Sequence, residues 1–243
     1  MTQGTLYGIG VGPGDPELMT VKGAAVLARC PHVFVPKART AAGSVALAIA
    51  ERYIGQDAHI HELLFPMTSD EEELARRWQE NARTVAAVLE TGEDACFLTL
   101  GDLFLYSTFI YLLREIRRLL PTVNAVSVPG ITSFSAAAAL ASFPVGEGRA
   151  PVALIPAAAD DPAAVREALG KPGTVILMKI GRRLPEILDL LEETGLMDRG
   201  VFVAHAGMEG QRVETDLRNL RNLGPEAGYL SILLVHTGKE EKR

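Results

Sequence analysis

The chain has 243 residues, 24 basic against 30 acidic, a formal net charge of −6 and 48% hydrophobic residues. That balance excludes a disordered or fibrous chain, and also a general nucleic-acid binder, which needs surplus Lys and Arg to displace counterions from phosphates. Cys30 and Cys96 have no CxxC spacing, the apolar runs are too short for a bilayer, and Met1–Gly4 lacks the basic start of a signal peptide, so the expectation is a reduced cytoplasmic protein.

Short β-branched runs alternate with amphipathic ones, which is the pattern of α/β architecture. Thr5–Val11 reads as a strand ending in the turn Gly12-Pro13-Gly14-Asp15-Pro16, followed by a helix over Glu17–Ala28 and a strand over His32–Val35. Ser44–Tyr53 is helical and Ala58–Leu63 extended. Thr68 and Ser69, with glutamates three residues on, predict a capped helix carrying Leu74, Trp78, Ala82, Val85 and Leu89 on one face. Ala95–Leu100 is a buried strand delivering Gly101-Asp102, and Ser107–Leu120 a helix stopped by Pro121. Then come a strand at Ala125–Val128, the turn Pro129-Gly130, and a helix of small residues over Thr132–Ser142. Pro151–Ile155, Thr174–Lys179, Val201–His205 and Tyr229–His236 read as strands, with helices over Asp161–Leu169 and Leu184–Glu193. The expected organisation is two α/β domains, 1–121 and 122–243.

Three glycine turns follow strands: Gly8–Asp15, Thr99–Ser107 and Pro129–Ser133. The carboxyl ends of strands are where open α/β sheets bind ligands, so the three predict one shared cleft. The first is not a dinucleotide fingerprint. GxGxxG needs a glycine at 13 or 15 and meets Pro13 or Asp15, and no GK[ST] follows. Ser133 and Ser135 lack the GxSxG setting of a hydrolase. His59 and His61 share one face of a strand, but no third ligand is evident, and a resident metal is not expected.

The ordered set GVGPGDPELMTVKGAAVL, LTLGDLFLYST, VPGITSFSAAAA, VILMKIGRRLPEIL and VAHAGMEGQRV resembles the tetrapyrrole (corrin/porphyrin) methylase family from Thr5 to about Val235. Stretches such as Val33–Lys37, Phe65–Thr68, Tyr106–Phe109 and Thr132–Ala136 are similar to the branch that methylates C20 of precorrin-2. The resemblance implies an S-adenosylmethionine pocket between two α/β domains, with S-adenosylhomocysteine as product. It implies cofactor contacts at Pro13, Leu100, Gly101, Asp102, Leu105, Thr132, Ser133, Met178, Ala206 and Gly207. The substrate, precorrin-2 or cobalt-precorrin-2, falls against Gly12, Gly14 and Asp15 of the first loop. Its acidic arms call for a local basic patch, with Lys37 and Arg39 as first candidates and Lys179, Arg182 and Arg183 as the second group.

Two features depart from the family pattern. Leu103 stands where the second motif usually has proline, which should loosen that loop slightly. The aspartate that serves as base in uroporphyrinogen methylases is replaced by Pro36, so Tyr106, Asp102 and His205 are the candidates for removing the C20 proton. The family also implies a homodimer. Competing readings are another branch of the family, acting on a different ring carbon or resembling diphthine synthase, and a non-catalytic tetrapyrrole binder. A nucleotide-binding oxidoreductase is disfavoured by the failed fingerprint.

Overall fold

Five parallel strands form the first sheet: β1 (Leu6–Gly10), β2 (His32–Lys37), β3 (His59–Leu64), β4 (Ala95–Thr99) and β5 (Ala125–Val128), in the order β3-β2-β4-β1-β5. The computed structural model describes residues 2–38, 43–66, 68, 70–157 and 162–238. All five residues of β4 are buried, as expected of a strand covered on both faces by crossover helices. Those helices are α1 (Val21–Leu27), α2 (Val45–Ala50), α3 (Glu71–Glu90) and α4 (Phe109–Leu119).

The helix starts are set by side-chain caps. Thr20 and Ser44 accept from the third backbone N–H of α1 and α2. For α3 the cap is Asp70, whose carboxylate accepts from Glu72 and Glu73 N at 3.0 and 3.1 Å. The expected Thr68 instead accepts from Asp70 N, and Ser69 lies outside the described residues. Ala82, Val85 and Leu89 are buried as their spacing predicts, and Trp78 stacks on Tyr111 of α4 with ring centroids 4.4 Å apart. Cys30 and Cys96 are free buried thiols, and Cys30 donates to His32 O at 3.4 Å.

The second sheet is mixed. It holds β6 (Val152–Pro156), β7 (Thr174–Met178), β8 (Gly200–Ala204), β9 (Arg212–Glu214) and β10 (Ser231–His236), in the order β6-β7-β10-β8-β9, and only β6 and β7 run parallel. Both faces of β7 and β10 are covered. Val175, Leu177, Leu233 and Val235 pack with α6 (Pro162–Leu169) and α7 (Leu184–Glu193), while Ile176, Ile232 and Leu234 pack with α5 (Ser133–Leu140). Ala136 and Ala137 are the buried residues of α5, and their small side chains let its backbone lie close to the sheet. β9 was not expected from the sequence; three edge residues are too short a pattern to read.

The chain divides into two compact units at Thr132/Ser133, about ten residues later than the boundary expected at 121/122. The reason is β5. It pairs with β1 through Leu6↔Ala125 to Ile9↔Val128, so it completes the first sheet instead of beginning the second unit.

Candidate active site

In the first unit, the loops that follow β1, β4 and β5 leave the same edge of the parallel sheet and meet there. Gly12 and Gly101 pair as an isolated antiparallel bridge, with Gly12 N–H donating to Gly101 O at 3.2 Å and Gly101 N–H to Gly12 O at 2.7 Å. Both have left-handed backbones, φ 84° and 72°. A Cβ on Gly10 would lie 2.5 Å from Gly130 N, and one on Gly130 would overlap Gly101 O. The glycines are there because three backbones touch. Pro13 and Gly14 are buried beside them.

Carboxylates fasten these loops. Asp102 accepts from Phe104 N at 2.9 Å through Oδ1 and from Gly130 N at 3.2 Å through Oδ2, so it pins the second loop to the third. Asp15 accepts from Glu17 N at 2.8 Å and caps a single helical turn, Pro16–Leu18. Leu103 is fully buried with Phe97, Phe109 and Leu112, and its carbonyl accepts from the Ser107 hydroxyl. The expected loosening is therefore opposed: burying a leucine contributes about 2 kcal/mol where a proline would have preset φ. Leu100 and Leu105 are half-buried, and Tyr106 is exposed with φ 54°.

At the end of β2, Lys37 is ion-paired to Glu62 at 2.7 Å, so its charge has a partner in this unit. Arg39 lies outside the described residues.

In the second unit the carboxyl ends of β7 and β8 lie beside the start of β10, because β10 runs antiparallel to both. Three non-glycine residues with left-handed backbone gather at this edge: Lys179 (φ 53°), His205 (φ 50°) and Leu230 (φ 48°). Such a conformation costs about 1–2 kcal/mol per residue and concentrates at functional sites. His205 N–H donates to Leu230 O at 3.0 Å, and its ring meets Tyr229 edge-on at 6.4 Å. Gly207 N–H donates to the Gln211 side chain at 2.8 Å, and Ala206 is buried against the α5 cluster. Met178 ends β7, half-buried against that same cluster. Lys179 and Arg182 are exposed, whereas Arg183 donates to Ala157 O and Glu186, each at 3.0 Å. Thr132 and Ser133, half-buried, are the last residue of the first unit and the first of the second.

The structure thus gathers Gly12, Pro13, Gly14, Asp15, Gly101 and Asp102 on one edge of the first unit, and Met178, His205, Ala206 and Gly207 on one edge of the second. Gly10 and Gly130 were not among the expected site residues; their signal was present in the sequence as glycine at each strand end. Tyr229 carried no signal beyond its place at a strand start. At the amino end of the first sheet, His59 and His61 are joined by His32, although among the described residues no three metal-binding side chains converge on one point. Burial, and then the charges of His32 and His59, hold the His61 imidazole below its ordinary range.

The family model described as Tetrapyrrole (Corrin/Porphyrin) Methylases matches residues 5–221. The cobalt-precorrin-2 C(20)-methyltransferase of Salmonella typhimurium is 34% identical over 96% of each chain. The precorrin-2 C(20)-methyltransferase of a Sinorhizobium species is 29% identical, covering 98% of this chain and 97% of that one. Among solved structures, a cobalt precorrin-4 methyltransferase has a TM-score of 0.75 at 20% identity, covering 96% of this chain and 94% of that one. A uroporphyrin-III C-methyl transferase from Thermus thermophilus complexed with S-adenosyl homocysteine has a TM-score of 0.67 at 20% identity, covering 96% and 97%.

Proposed function

Since the chain belongs to the tetrapyrrole (corrin/porphyrin) methylase family, we propose that it transfers a methyl group from S-adenosylmethionine to C20 of precorrin-2 or its cobalt complex, on the route to cobalamin. The observation that carries this reading is the likeness along nearly the whole of both chains to a relative named for that carbon, 34% identical.

S-adenosylmethionine, when bound, supplies a methyl group on a positively charged sulfur. Gly101 is proposed as backbone with no Cβ, Leu105 and Met178 as half-buried apolar surface, and Thr132 and Ser133 as hydroxyls for polar ends, while Gly12, Gly14 and Asp15 are proposed for the substrate. The proposed contacts are completed by Pro13, Leu100, Ala206 and Gly207. Asp102 acts by position: with its two oxygens holding Phe104 and Gly130, it fixes the shape of the loops.

C20 of a reduced tetrapyrrole is electron-rich. It attacks the methyl carbon, the new C–C bond forms as the S–C bond breaks, and C20 then gives up its proton. Alignment of carbon, methyl and sulfur accounts for several kcal/mol of the barrier. Tyr106 and His205 are the proposed proton acceptors, and both have left-handed backbone, φ 54° and 50°. Lys37, Arg39, Lys179 and Arg182 are proposed for the acidic arms of the substrate. At Lys37 an arm competes with Glu62, whose side chain is half-exposed. The same reading takes the enzyme to be a cytoplasmic homodimer.

The test is anaerobic incubation with S-adenosylmethionine and precorrin-2, with and without cobalt, followed by mass spectrometry and NMR. One added methyl at C20 is the expected product. Tight S-adenosylhomocysteine binding without transfer would overturn the C20 assignment, and no binding at all would overturn the cofactor contacts.

A further inference from the structure

We propose that His32 and His61 form a chelating pair for a first-row divalent cation such as zinc or nickel, at the amino end of the first sheet. The glycine loops leave its carboxyl end, so this is a different site. The parallel register sets His32 opposite His59 and Phe34 opposite His61, which puts three imidazoles and one phenyl ring on one face of the sheet. His32 Nδ1 and His61 Nε2 lie 3.0 Å apart. Two adjacent ligand nitrogens at about 2.1 Å from a metal ion are themselves about 3.0–3.4 Å apart, so the cation takes the place of the hydrogen bond once both rings turn to bring their lone pairs to one point off the N–N line.

The surroundings of the pair are those of a prepared ligand. The second nitrogen of His32, Nε2, is bonded to Glu93 Oε2 at 3.0 Å. A carboxylate on the far nitrogen fixes the tautomer and leaves Nδ1 with its lone pair toward His61, the arrangement that orients metal-bound histidines. Phe34 stacks on the His61 ring with centroids 4.5 Å apart, and the His32 side chain is only 12% exposed, so neither ring needs to be ordered on binding. His61 enters the complex with its proton on Nδ1, and no net proton is released. Because no third side chain among the described residues converges on the point, water completes the shell, and imidazole selects zinc, nickel or copper over magnesium. Exposed His59, with its ring 5.4 Å from that of His32, lines the solvent side.

The experiment is calorimetric titration of the untagged, metal-stripped chain with zinc and with nickel, using magnesium as the control. Expected are one zinc per chain and no magnesium binding. His32→Ala and His61→Ala should each weaken zinc by more than about tenfold, Glu93→Gln by about tenfold, and His59→Ala by less than about threefold. Zinc binding unchanged in both His32→Ala and His61→Ala, or no binding to the native chain, overturns the proposal. Should an alanine variant fail to fold, electron paramagnetic resonance of the copper-loaded native chain decides without mutation. Two coupled imidazole nitrogens support the site, and one or none overturns it.

Discussion

The two units reach their tight strand-end turns with a different balance of residues. In the first, glycine does the work: Gly10, Gly12, Gly101 and Gly130 let three backbones touch, and Asp102 ties two of the loops. In the second, left-handed glycines (Gly181, Gly207) are joined by Lys179, His205 and Leu230, residues that carry side chains and are strained for it. A glycine turn offers bare backbone and close approach. A strained lysine or histidine displays a functional group in a direction that relaxed backbone would not give. Among the described residues, the first edge has one such side chain, Tyr106, and the second has three.

Substitutions test that contrast from both sides. The largest effect is expected at Gly130→Ala, whose methyl would overlap Gly101 O where only backbone could yield. A loss of about 3 kcal/mol should show in a denaturant titration, together with loss of S-adenosylhomocysteine binding. Asp102→Ala leaves the N–H groups of Phe104 and Gly130 without an acceptor. About 2 kcal/mol is expected, with weaker cofactor binding in a calorimetric titration. His205→Gly should run the other way, gaining about 1 kcal/mol by releasing the left-handed strain while methyl transfer falls. A destabilised His205→Gly, or one of full activity, would break the contrast.

The smallest effect is a pH dependence in the second unit. His236 stacks on Phe143 with ring centroids 4.1 Å apart, and its Nδ1 bonds Thr174 Oγ1 at 3.1 Å. Burial, and then the charge of Arg199, hold its pKa below that of a free imidazole, with Glu147 opposing. The folded state therefore favours the neutral ring, and the unfolded chain binds the proton more readily. The stability this contributes is full above about pH 6.5 and is lost as the pH falls through the lower folded value. Unfolding titrations between pH 5 and 7 should show that slope in the native chain and a flatter one in His236→Asn.

The sequence carried much of this architecture because strands and helices are local patterns. Thr174–Lys179 and Leu184–Glu193 stand within a residue of where the apolar spacing puts them. What it did not carry depends on pairing between distant segments. The domain boundary is later than expected because nothing local in Ala125–Val128 says that it pairs with Leu6–Ile9. The Lys37–Glu62 pair and the approach of His32 to His61 exist only once β2 and β3 are in register. The glycine loops were legible as turns at strand ends. The pinning of Gly130 by Asp102 spans 28 residues and is visible only in the fold. At Leu103 the missing proline was legible, but its compensation by burial was not.

The position of β5 has a practical consequence for dividing the gene. A fragment ending at residue 121 would remove β5 and bare the whole flank of β1, Leu6–Gly10, as an unpaired edge ready to pair with other molecules. A fragment ending at residue 132 keeps that flank covered. On size-exclusion chromatography the shorter piece should elute as aggregate and the longer one, differing by eleven residues, as a discrete species.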